Sequence, residues 1–377
     1  MNEFDFIRRL REQTRTRNQS PRILTGIGDD ASVISEAGNR DFVVTTDLLV
    51  EGVDFYRDTA PASLLGHKAL AVSLSDIAAM GARPLWSLVS IGMPAEVWAD
   101  DFKESFFEGY FALADRYGVV LCGGDVSEAK DKTVIDSIVG GEVNSGRAVL
   151  RSTAQPGDQI FVTGGLGGAA AGLKLIEMGA RMGPKGLTSL PAPSKRGTSR
   201  TVREGSELRG TSPTVREGSK AAEIHTSELR TIEALLLRQL CPDARVGWGI
   251  VLGEERLASA MIDVSDGLSS DLGHLCRQSN VGALLQSERI PIDKEVTKLC
   301  GRRALDPLAL ALHGGEDFEL LFTVRPDDVT RLPKRVDGVK ASHIGEITNQ
   351  SGVIRIAEGR RIWDLQPRGF EHFSRSV

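Results

Sequence analysis

Aspartate recurs along this chain at strand ends and beside turns, in company that is otherwise small or apolar. The set comprises Gly28-Asp29-Asp30, Thr45-Thr46-Asp47, Asp76, Gly123-Gly124-Asp125 and Asp263-Val264-Ser265-Asp266. Carboxylates buried in such number repel one another, and each is costly unless something compensates its charge. A hard divalent cation does so. Magnesium takes oxygen ligands and bridges carboxylates to phosphates, whereas clustered His and Cys would mark zinc. Each position alone also has a plainer reading. Gly-Asp-Asp is often a turn, the Thr-Thr-Asp run can cap the next segment, and Asp76 can pair with a basic residue. Asp125 can be an ordinary turn residue and Asp266 a helix N-cap. Five such places together, with no competing catalytic constellation, point to metal binding.

Periodicity places these residues on elements. Residues 4–13 read as a short amphipathic helix and 42–47 as a strand ending in polar groups. Over 62–80, Leu65, Ala69, Val72, Asp76 and Ala79 share one helical face, which sets Asp76 on an apolar stripe. A second helix is expected from about Asp101 to Tyr117, with Asp100 as its N-cap and Gly118 as its C-cap. Beta-branched runs at 119–122 and 134–139 read as strands. The run Ala154-Gln155-Pro156-Gly157-Asp158 is turn chemistry and a domain junction. Beyond it, strands at IFVT, MIDVS and FELLFTV alternate with helices near 168–179 and from about Leu268. The expectation is an α/β (α+β) protein of two domains, 1–150 and 151–377.

Residues 181–230 differ: they are rich in Ser, Thr, Gly, Arg and Pro, and they repeat TSRTVREGS at 198–206 as TSPTVREGS at 211–219. Two short copies do not make a solenoid, so a flexible surface insertion is expected, and a protein lacking 182–229 is expected to stay folded and active. The glycine-rich run 164–168 follows a strand and opens a helix, a context that suits either phosphate binding or close strand–helix packing. The packing reading is preferred, since the run is not GxGxxG in register and no GxxxxGK[ST] occurs.

Bulk properties narrow the classes. The chain has 377 residues, enough for two cores, with 41% hydrophobic and 26% charged residues. A net charge of −5 argues against nucleic acid as a bulk partner, although bound metal would still admit a nucleotide. The charged start MNEFDFIRRLREQTRTR is no secretory signal, and no run approaches a membrane span. Cys122, Cys241, Cys276 and Cys300 form no CxxC pair and fit reduced thiols in a cytoplasmic protein.

In order, GIGDDASV, TTDLLVEGVDF, HKALAVSLSDIAAMGARPLW, LCGGD, RSTAQPGD, VTGGLGGAAAGL, IDVSDGLSSDLGHL, GGEDFELLFTV and the closing GFEHF resemble the thiamine-monophosphate kinase family. That family lies within the aminoimidazole ribonucleotide synthetase-like superfamily. The match spans roughly 2–180 and 230–373. The resemblance implies transfer of phosphate from ATP to thiamine phosphate, giving thiamine diphosphate and ADP in thiamine biosynthesis. It implies several Mg²⁺ ions, a homodimer whose N-terminal sheets pair, a C-terminal α/β domain behind them, and a cleft near the dimer interface. Carried over by residue, Asp30, Thr45, Thr46, Asp47, Asp76, Asp125, Asp263 and Asp266 match metal positions. Phe106, Gly124, Asp125, Arg151 and Ser265 match positions near ATP, and Asp54, Glu316 and Phe370 match positions near thiamine phosphate. No dedicated nucleophile or base is expected, because the acceptor is already an anion.

Three positions depart from the family pattern. Asp54 stands where His is usual, Ser73 where Asn is usual, and Val126 where a hydroxyl commonly follows Gly-Gly-Asp. Two other superfamily activities fit less well. Selenophosphate synthetase calls for a reactive N-terminal Cys, and the first here is Cys122; TTDLLVEGVDF and GFEHF suit aminoimidazole ribonucleotide synthetase poorly. A nucleotide-binding relative without catalysis would have no reason to keep the main acidic set.

Overall fold

The computed structural model describes residues 3–15, 20–36, 38–190, 215–303 and 305–370. In the N-terminal half the order is α1 (Glu3–Arg15), β1 (Ile23–Thr25), β2 (Ser32–Ser35), β3 (Arg40–Val50), α2 (Ala62–Ala79), β4 (Arg83–Met93), α3 (Ala95–Ala99), α4 (Phe102–Tyr117), β5 (Val120–Glu128) and β6 (Val134–Asn144). The six strands form one sheet in the order β1-β2-β3-β6-β4-β5, antiparallel except for the parallel pair of β4 and β5. Its core packs against α2 and α4. A run of Ala, Leu, Ile and Val lets α2 be buried almost all round. The two helices cross closely because Gly66 and Gly109 have no side chains: a Cβ on either would overlap a backbone carbonyl, of Phe106 and Ser63 respectively.

The second half continues with β7 (Gln159–Thr163), α5 (Gly168–Glu177), β8 (Arg181–Gly183), β9 (Gly186–Ser189), α6 (Val215–Leu240), α7 (Val246–Glu254), β10 (Ala260–Asp263) and α8 (Leu268–Ser279). It closes with β11 (Gly282–Gln286), α9 (Lys294–Arg302), α10 (Pro307–His313), β12 (Leu320–Val324), β13 (Ala341–Thr348), β14 (Ile354–Glu358) and β15 (Arg361–Asp364). Seven of these strands form a mixed sheet, β10-β12-β7-β13-β11-β14-β15. The halves are not joined by turn chemistry alone. One continuous apolar core holds Leu74, Ile77 and Ala78 of α2 with Val246, Trp248 and Leu252 of α7 and with Met261 and Phe322 of the second sheet.

Two expectations need correction. Helix α4 is preceded by Asp101 rather than Asp100, and the Asp101 side chain makes no capping bond. The stretch 181–230 is not a single loop: β8 and β9 form a hairpin over its start, and α6 begins inside the second repeat copy at Val215. Met182 and Ile232 are buried in a third apolar cluster beside α5 and α9. The first repeat copy lies outside the described residues.

Candidate active site

Strand alternation and one polar edge of α2 gather the acidic residues. On β3, Thr45 and Asp47 face α2. Asp30 arrives from the turn before β2, and Asp263 ends β10. Carboxylate oxygens of Asp30, Asp76 and Asp263 lie within 4.8 Å of one another. Each is held by a neighbour. The Thr45 hydroxyl donates to Asp76 at 2.5 Å, Ser75 to Asp263 at 2.7 Å and Ser73 to Asp47 at 2.8 Å. Arg151 pairs with Asp30, its Nε donating at 3.0 Å.

The charges strain this grouping. Burial, then Asp47, Asp263 and Asp30, push Asp76 well above the usual carboxylate range. Burial and Asp30 push Asp263 up to about 7. Burial raises Asp47 to about 6 against the Ser73 hydrogen bond. Burial and Asp30 raise Asp29 to about 7. Carboxylates set this close, with only Arg151 as a cationic partner among those contacts, form an all-oxygen donor set suited to a hard divalent cation.

Beside this cluster a cleft of about 690 Å³ opens between the halves. Its lining includes Asp47, Asp54, Ser265, Asp266, Glu316 and Phe370 among many apolar side chains. Glu316 follows two glycines and adopts a positive φ of 64°, its N–H donating to the Ser265 carbonyl at 2.7 Å. Phe370 is exposed at the rim, and its N–H reaches the Asp266 carbonyl at 3.3 Å. The Asp54 carboxylate accepts the Val50 N–H at 2.8 Å and so closes the turn after β3.

Other expected residues are not brought into the cluster. Thr46 points to the opposite sheet face, where its hydroxyl donates to Asp136 at 2.6 Å. Asp125 lies on the edge strand β5, in register with Ser90 and, through it, with Asp136 of β6. It therefore shares the outer face with Thr46, and Gly124 precedes it on the same exposed edge. Phe106 is wholly buried in an aromatic stack with Phe102 and Tyr110, so this structure does not present it to a nucleotide. Arg151, read as a nucleotide contact, here makes a salt bridge to Asp30.

Several residues escaped the sequence reading. Lys68 and Gln239 hold Glu316. The signal for Lys68 was visible as the one charge in the run ALAVSL and its approach. Gly267, not Asp266, is the N-cap of α8, and Asp271 in the first turn accepts its N–H at 2.9 Å. Asp317 accepts from Gly167 at 2.6 Å and Ala169 at 3.0 Å. The N-terminus of α5 is thus already occupied, and the glycine-rich run serves close packing, as preferred: a Cβ on Gly164 would overlap Glu319 and one on Gly167 would crowd the Ala311 backbone nitrogen. The four cysteines are free thiols, and no helix among the described residues is long and apolar enough to cross a membrane.

The N-terminal domain of AIR synthase related proteins matches residues 28–146, and the C-terminal domain of the same family matches 204–357. The thiamine-monophosphate kinase of Escherichia coli (strain K12) is 31% identical over 380 residues, covering 99% of this chain and 98% of that one. That of Buchnera aphidicola subsp. Schizaphis graminum is 31% identical over 378 residues, covering 99% of both. Among solved structures, AaThiL complexed with AMPPCP and TMP superposes with a TM-score of 0.75 at 27% identity, covering 99% of this chain and 97% of that one. The thiamine-monophosphate kinase of Stenotrophomonas maltophilia K279a gives 0.67 at 35% identity, covering 94% and 96%. With the acidic cluster, the interdomain cleft and full-length similarity in agreement, this chain belongs to the thiamine-monophosphate kinase family.

Proposed function

We propose that the protein phosphorylates thiamine phosphate with ATP, giving thiamine diphosphate and ADP. The observation that carries this reading is the meeting of Asp30, Asp76 and Asp263 beside the cleft lined by Asp47, Asp54, Glu316 and Phe370. A terminal oxygen of thiamine phosphate attacks the γ-phosphorus. One O–P bond forms, the bond to the β,γ-bridging oxygen breaks, and ADP leaves; no proton need move. Such a transfer needs alignment and charge neutralisation more than a base.

Asp30, Thr45, Asp47, Asp76 and Asp263, with Asp266 at the cleft wall, would hold Mg²⁺, several ions in all. When bound, the metal neutralises the facing phosphates and stabilises charge on the transferred group. Thr45, Ser73 and Ser75 keep the carboxylate oxygens pointed at one spot. Arg151, whose fork pairs with Asp30 at the edge of this cluster, would add a forked contact to an ATP phosphate. Ser265 lines the cleft next to Asp266. Glu316 and Phe370 would meet the rings of the acceptor. With its carboxylate on the Val50 N–H, Asp54 is tied to its own turn, which reduces the repulsion it would otherwise exert on an acceptor phosphate.

Thr46, Gly124 and Asp125 fit this scheme if the outer sheet face meets a second copy. We infer a homodimer paired through that face, where Leu48 is exposed on β3 and Val120 on the β5 edge. Reduced thiols suit work in the cytoplasm. To test the reading, purified protein is incubated with ATP, MgCl₂ and thiamine phosphate, and thiamine diphosphate is followed by chromatography after oxidation to its fluorescent form. Metal-dependent product is expected. Folded protein that binds Mg-ATP and forms no product would overturn it.

A further inference from the structure

Glu316 is held more firmly than its half-open position requires. Its backbone is pinned to Ser265, and Gly315 lets the loop lie flat there, since a Cβ would crowd the Ser265 carbonyl. Its carboxylate is gripped from behind by Lys68, an ammonium only 3% exposed, at 2.6 Å. The same ammonium donates to the Asp54 carbonyl at 3.4 Å. From α6, Gln239 donates its amide to the other oxygen of Glu316. A carboxylate paired with Lys68 only accepts, so Gln239 must turn its NH₂ toward it. That leaves Gln239 Oε1 buried without a hydrogen-bond partner among the described residues. A buried acceptor left unmade is costly, and the cost is offset only if the carboxylate it orients is worth holding. Meanwhile Glu316 keeps 30% of its side chain open to the cleft.

Lys68 sits on the helix that carries Asp76. Eight residues of α-helix separate them, about 12 Å along the axis. Both ends of the proposed substrate are thus referred to one rigid, buried element: the phosphate to the Asp76 end, the rings to the Lys68–Glu316 end.

We infer that Lys68 and Gln239 are positioning residues that fix the Glu316 carboxylate, and that α2 thereby selects the acceptor by the length between its phosphate and its cationic, amino-bearing rings. The inference rests on the reading of Glu316 as a contact for thiamine phosphate.

The test uses the full chain with Lys68→Met and Gln239→Leu. KM for thiamine phosphate and for Mg-ATP, and kcat, are measured for each. So is inhibition by a thiamine phosphate homologue one methylene shorter between ring and phosphate. KM for thiamine phosphate is expected to rise about tenfold in Gln239→Leu and further in Lys68→Met, beyond any change in KM for Mg-ATP or kcat. The wild type should prefer the full-length acceptor, and both variants should lose part of that preference. Should Lys68→Met not fold, Lys68→Arg and Gln239→Leu decide. Product from the wild type with unaltered acceptor KM in the variants, with parallel loss for both substrates, or with length preference intact, would overturn the inference alone. No product from the wild type would overturn the kinase reading and this inference together.

Discussion

Replacing Asp76 with Asn should make the metal-free protein more stable and the enzyme far less active. Three carboxylate oxygens within 4.8 Å repel one another by about 3 kcal/mol per pair at an effective dielectric of ~20. Asp76 takes part in two of the three pairs. Protonation limits the penalty: a carboxyl such as Asp263, moved from an ordinary 3.8 to about 7, holds about 4 kcal/mol of unfavourable charge once ionised. Asn keeps an acceptor for the Thr45 hydroxyl and removes the charge. A gain of about 2 kcal/mol at pH 8 is a conservative share of that repulsion, and raises Tm by roughly 2–3 °C in a chain of this size. The pH dependence has a definite sign. The folded state binds more protons than the unfolded chain between 3.8 and about 7, so the metal-free wild type loses stability as pH rises through that window. The advantage of Asp76→Asn should therefore be clear at pH 8 and small at pH 5.

Differential scanning fluorimetry with and without MgCl₂, at both pH values, reads this directly. Wild type should gain more from Mg²⁺ at pH 8 than at pH 5, because protons compete for the same oxygens. The variant should respond weakly to Mg²⁺, and its kcat/KM should fall at least about a hundredfold. A metal-free variant less stable than wild type, or one with an intact Mg²⁺ response, would refute the account of the cluster as a cation site held open against its own charge.

Three further outcomes follow from the packing. Asp317→Ala removes the acceptor of two helix-start N–H groups at a site 5% exposed and should cost about 2 kcal/mol in urea unfolding; an unchanged midpoint would deny Asp317 the capping role. Gly66→Ala forces a methyl into the Phe106 carbonyl and should cost about 3 kcal/mol with loss of soluble protein, whereas a neutral result would mean that α2 and α4 can part freely. Deleting 182–229 removes buried Met182, whose N–H donates to the Thr59 carbonyl at 2.8 Å, together with part of α6; soluble yield and Tm should drop, contrary to expectation from composition.

Much of the architecture was legible because it rests on short-range patterns. The apolar stripe around Asp76 marked α2 to within a residue, and beta-branched runs marked the starts of β5 and β6. What escaped was set by contacts distant in sequence. The core that joins α2 to α7 pairs residues some 170 positions apart, and no local pattern announces it. Helix α6 was hidden because its first turns lie in a stretch whose composition reads as a loop. Lys68 and Gln239 were missed as site residues because their partner, Glu316, is supplied by another part of the chain.

Strand alternation explains why the acidic list, correct in chemistry, divides in space. Thr45 and Thr46 are adjacent, yet β3 must point one toward α2 and the other away. The same alternation, carried across β6 and β4 in register, puts Asp125 with Asp136 on the outer face while Gly124 aligns with Asp47 on the inner one. One copy of the chain therefore assembles Asp30, Asp76 and Asp263 but leaves Thr46, Asp136 and Asp125 on the sheet face opposite α2. If the outer residues serve the same reaction, what completes them must come from beyond this sheet. That is the physical reason to expect dilution or disruption of the β3–β5 face to impair nucleotide use before it impairs folding.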